Sequence, residues 1–62
     1  MGGHIIIRQD LQNALQAPLV WAGLPLSTQQ VLTPIFDLDP STWSPQQCET
    51  VGKAAHWAIC NL

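Results

Sequence analysis

The sequence predicts an α+β fold, and three observations predict it. Ile5-Ile6-Ile7 is a β-branched run, which favours a pleated backbone. Val31 to Asp39 has a β-like character around Pro34, a residue that would confine it to a sheet edge. Ser44-Pro45-Gln46-Gln47 opens a helix: a serine N-cap, proline at the first helical position, and glutamine where a capping box requires Glu or Gln. The expected architecture is a small antiparallel sheet of two or three short strands. A long C-terminal helix over about 45–60 and a shorter helix over about 10–17 cover it, all in one domain spanning 1–62.

Taken in order, His4 to Arg8 reads as the first strand. Asp10 can cap the helix that follows, where Leu11, Ala14 and Leu15 recur at helical spacing with Gln12, Asn13 and Gln16 on the other side. Pro18 ends that helix. From 18 to 30 an apolar segment punctuated by Pro18, Gly23 and Pro25 reads as a short strand or a loop across the core, with Ser27 capping one helical turn. Pro40 to Trp43 reads as a turn.

On the C-terminal helix, Cys48, Val51, Ala55, Ala58, Ile59 and Leu62 share one side, the expected core face, and small Gly52 and Ala55 would admit close approach by another element. Glu49 and Lys53 form an i,i+4 pair. Trp57 falls almost opposite the core face, where it is either covered by a loop or exposed as an anchor for a partner.

Composition narrows the functions. Of 62 residues, 47% are hydrophobic and 10% charged, with a net charge of −2, so a basic nucleic-acid binder is excluded. One core this small cannot easily wrap a substrate. The uncharged stretch 11–36 is broken by Pro18, Pro25 and Pro34 and carries five Gln or Asn residues, so no membrane span is expected. Ile5-Ile6-Ile7 is too short for a signal-peptide core and lacks a basic flank. Cys48 and Cys60 are twelve positions apart on one predicted helix, about 18 Å along its axis, beyond disulfide reach. Free thiols point to a reducing cytoplasm.

Motifs for chemistry are lacking. No phosphate loop occurs. His56 and Cys60 have ligand spacing, but a closed zinc site needs four ligands, so neither a metal nor another cofactor is expected. The same pair resembles a cysteine–histidine catalytic dyad, yet it has no orienting third group, no oxyanion hole and no cleft, and a helix C-terminus disfavours a thiolate. The sequence predicts no enzyme. Asp37-Leu38-Asp39, if extended, places both carboxylates on one side and Leu38 in the core. That is either a solvated turn or a negative spot fitted to a basic groove.

From His4-Ile5-Ile6-Ile7 to the Pro45–Asn61 helix, the chain resembles the small phage- or mobile-element-encoded anti-CRISPR proteins that act on type I systems, type I-C among them. The resemblance covers the whole chain and rests on size and the absence of catalytic motifs rather than on a diagnostic motif, so no residue role carries over. It implies a non-enzymatic inhibitor in the bacterial cytoplasm that binds a Cas protein of the surveillance complex and blocks target DNA binding without itself touching nucleic acid. The charge of −2 departs from strongly acidic DNA mimics and favours a mixed interface. Asp37, Asp39 and Glu49, with Trp57 or Trp43 as aromatic anchor, are the expected contact residues. The alternative is a small structural or adaptor subunit working as a homo-oligomer, since a core of this size is often supplemented by assembly. Either a monomer or a homodimer fits the first reading.

Overall fold

Proline sets the boundaries of this fold. Steric clash with a proline ring pushes the preceding residue out of the α region. Ala17, Leu24, Asp39 and Ser44 each precede a proline, and their ψ values are 134°, 145°, 127° and 163°. In the computed structural model, which describes residues 8–62, the segments between these breaks are all helical. They are α1 (Arg8–Gln16), α2 (Pro18–Gly23), α3 (Leu26–Phe36) and α4 (Pro45–Asn61), with a 3-10 turn at Pro40–Thr42 between the last two.

Among the described residues there is no strand, so the expected α+β fold is corrected to all-α. Positions 4–7 of the first expected strand lie outside the described residues, and Arg8, its last position, is in α1. The segment 18–30 is helical apart from the break at Leu24-Pro25, and α3 starts at Leu26 behind Pro25 rather than at a Ser27 cap.

Of the β-like run at 31–39, residues 31–36 are instead the second half of α3, and 37–39 form the turn that follows it. Read with a helical period, Leu32, Ile35 and Phe36 share one face, and all three are buried. Pro34 deprives the Gln30 carbonyl of its helical donor, but both residues face solvent, where water can substitute. The Thr33 hydroxyl donates back to the Gln29 carbonyl at 2.7 Å, a bond that helices tolerate with slight bending. Burial of three large apolar side chains outweighs the weak strand preference of Val31, Thr33 and Ile35.

α4 begins as the sequence predicts. Ser44 Oγ accepts from the Gln47 amide at 3.1 Å, and Gln47 Oε1 accepts from the Ser44 amide at 2.8 Å. Its buried face is rotated from the expected one. Val51 and Ala54 are buried, Cys48, Ala55, Trp57 and Ala58 are partly buried against the core, and Ile59 and Leu62 are exposed. Gly52 has no neighbour that a methyl group would meet, so no close approach depends on it.

α1 lies against α4, α2 and the 3-10 turn, and α3 lies against α4. The core is Leu15, Leu24, Leu32, Ile35, Phe36, Trp43, Val51 and Ala54. Phe36 sits between two indoles, 6.1 Å from Trp21 and 5.9 Å from Trp43 between ring centres.

Polar bonds tie the helices together. Gln12, expected on the polar side of α1, is buried, and its Nε2 donates to the Phe36 carbonyl at 3.2 Å, closing the end of α3. Its Oε1 is buried without a partner among the described residues. Gln29 Nε2 donates to the Trp21 carbonyl at 2.6 Å, joining α3 to the end of α2.

Candidate functional site: an apolar groove between α1, α2 and α4

Helix lengths explain where the surface opens. At about 1.5 Å per residue, the nine residues of α1 cover roughly half the length of the seventeen-residue α4. The apolar stripe Ala55, Ala58, Ile59 and Leu62 follows i, i+3, i+4, i+7 spacing and continues beyond the core. It meets Leu11, Ala14 and Leu15 of α1 and Leu19 and Val20 of α2 around a groove of about 530 Å³. Every lining residue is apolar and uncharged. Alanines 14, 55 and 58 keep the groove wide, while Leu19, Ile59 and Leu62 stand at 90%, 82% and 60% exposure. At Gly23 an added Cβ would lie 2.7 Å from Leu62 Cδ2, so the last turn of α2 leaves the space that this leucine fills. Clustered large apolar side chains in water are costly unless something covers them.

The residues expected to bind a partner are dispersed. Trp43 is not an exposed anchor: it is 4% exposed, and its Nε1–H donates to the Ile35 carbonyl at 2.9 Å. As the residue before the Ser44 cap, it occupies the N′ position of a hydrophobic staple, with Cys48 at N4, and both belong to the core packing. Asp37 caps the C-terminus of α3 in a helical conformation (φ −74°, ψ −15°), so Asp37 and Asp39 are not the outward pair of an extended strand. Leu38, expected in the core, is 44% exposed. Asp39 Oδ1 accepts from the Ser41 amide at 3.1 Å, capping the 3-10 turn, and Arg8 Nη1 donates to the Pro40 carbonyl beside it at 3.3 Å. Asp37 is exposed. Glu49 is exposed and lies 3.8 Å from Lys53 Nζ.

Trp57 is half-buried, packed against the core on one side and lining two shallow hollows on the other. One of these, about 590 Å³, is built from Glu49, Gly52, Lys53, His56, Cys60 and Asn61 of the same helix. Both cysteines are free, Cys60 exposed and Cys48 partly covered. No cluster of three or more His, Cys, Asp or Glu side chains converges among the described residues. No helix among them is long and apolar enough to cross a membrane.

Sequence reasoning missed Leu19 as a surface residue and placed Ile59 and Leu62 in the core. The available signal was the length of the α4 stripe, which exceeds what a nine-residue helix can cover. Comparison with protein-family models, curated proteins and solved structures gives no match.

Proposed function

We propose that this chain acts by binding another protein without transforming it, and that it does so through the α1–α2–α4 groove. The observation that carries this reading is the exposure of Leu19, Ile59 and Leu62 around an uncharged hollow. Charge complementarity defines the partner's chemistry. A surface without a charged group fits an equally uncharged apolar patch, such as one face of an amphipathic helix, because a buried unpaired charge is costly. Residue enrichment at hot spots still favours an aromatic contribution, which leaves Trp57, at a different face, as a secondary contact.

The narrower reading, an inhibitor seated on a Cas protein of a type I surveillance complex, rests on the whole-chain resemblance and on the absence of catalytic motifs in the sequence. In it, the apolar groove replaces the acidic and aromatic face as the principal contact. The test is target DNA binding by a purified type I surveillance complex, measured with the wild-type chain, with the double variant Leu19→Glu/Ile59→Glu, and with Asp37→Lys/Glu49→Lys. Inhibition by the wild type and the charge-reversed chain, lost in the groove variant, is the expected result. Loss in the charge-reversed chain alone transfers the contact to the acidic face, and no inhibition by the wild type rejects the Cas reading. Light scattering on the same proteins separates the homo-oligomer alternative: a wild-type dimer that Ile59→Glu splits makes a second copy the occupant of the groove.

A further inference from the structure

The hollow on the outer side of α4 holds two ligating side chains that the groove does not use. Cys60 Sγ and His56 Nε2 lie 3.7 Å apart, one helical turn from each other, and both residues are exposed. Soft divalent ions bind thiolate sulfur at about 2.3 Å and imidazole nitrogen at about 2.0–2.1 Å, which at a tetrahedral angle puts the two donors about 3.6 Å apart. The observed separation matches that span. Ligands at i and i+4 on one helix face are the spacing by which helices hold zinc elsewhere. We propose that His56 and Cys60 form an open, two-point site for a soft divalent cation such as zinc.

The surroundings favour a cation. The site lies in the last two turns of α4, where the negative end of the helix dipole disfavours a free thiolate but favours the net positive charge of a thiolate carrying a divalent ion. The neighbouring Lys53 charge is offset by Glu49 at 3.8 Å. Asn61 is held aside, its Nδ2 donating to the Trp57 carbonyl at 2.8 Å. All residues lining the hollow belong to α4, so water can complete the coordination. On binding, the Cys60 thiol releases its proton to solvent and the thiolate and neutral imidazole each donate a lone pair, with no change of oxidation state. Bound metal would also fix the last turn of α4, to which Leu62 of the groove is attached.

The test is a titration of the reduced full chain with Co²⁺, followed by the thiolate-to-metal charge-transfer absorption and by displacement with Zn²⁺. The expected result is a saturable band that persists in Cys48→Ser, disappears in Cys60→Ser, and in His56→Ala needs at least about tenfold more Co²⁺, because the second ligand binds intramolecularly. Both side chains are exposed, and circular dichroism verifies that the variants keep their helicity. Absence of the band, its survival in Cys60→Ser, or an unchanged titration in His56→Ala overturns the proposal and leaves the pair as an S–H···N hydrogen bond.

Discussion

Trp43 is the residue whose removal should cost most. Its indole is 4% exposed, stacks on Phe36 at 5.9 Å and donates to the Ile35 carbonyl at 2.9 Å. Truncation to alanine in a packed core costs about 3–5 kcal/mol. A domain of 62 residues has about 3–9 kcal/mol of stability in total, at typical values per residue. Trp43→Ala should therefore leave a marginal fold with a large unfolded population at room temperature. Trp43→Phe is more informative. The Ile35 carbonyl still accepts from the Leu38 amide at 3.1 Å, so it is not orphaned when the indole N–H goes. The cost is then one net hydrogen bond plus a small cavity, about 1–2.5 kcal/mol. Urea denaturation followed by far-ultraviolet circular dichroism measures both. A loss below about 1 kcal/mol for Trp43→Ala would mean that the indole is not in the core, and the packing described around Phe36 would be refuted.

Three further substitutions probe separate parts of the fold. Ser44→Ala should destabilise by about 1 kcal/mol in the same denaturation assay, since it removes the cap on the Gln47 amide. Gly52→Ala should stabilise by about 0.5–1 kcal/mol, because the position is mid-helix and nothing lies within 4 Å of the added methyl group. Gly23→Ala should be close to neutral in the wild type, where the methyl group meets the movable end of Leu62, and more favourable in a Leu62→Ala background; a double-mutant cycle reads the coupling.

α4 was legible because its start is written in local chemistry: Ser44 and Gln47 satisfy each other's amides whatever surrounds them, and Pro45 has no amide to satisfy. Arg8 and Gln9, ahead of the expected start at about 10, are already helical, and the break before Pro18 falls where the sequence places it. α2 and α3 were hidden by a double meaning of proline. Pro18 and Pro25 break one helix and begin the next, so they mark helix boundaries as readily as loops. Pro34 and the β-branched residues around it signalled an edge strand, whereas the positions of Leu32, Ile35 and Phe36 carried the helical period. Burial of Trp43 depends on the chain returning past the end of α3, a tertiary event with no local signature. The candidate groove follows from unequal helix lengths, which the sequence already implies for α1 and α4; what it hid was the helix at 18–23 that sets Leu19 and Val20 beside the α4 stripe.

The proposed binding surface can be tested directly by recording amide and methyl NMR spectra of the labelled chain, alone and with a purified type I surveillance complex. Shifts concentrated at Leu11, Ala14, Leu19, Ala55, Ile59 and Leu62 are the predicted result. Shifts confined to Asp37, Glu49 and Trp57, with the groove unmoved, would contradict the assignment of the groove as the binding surface.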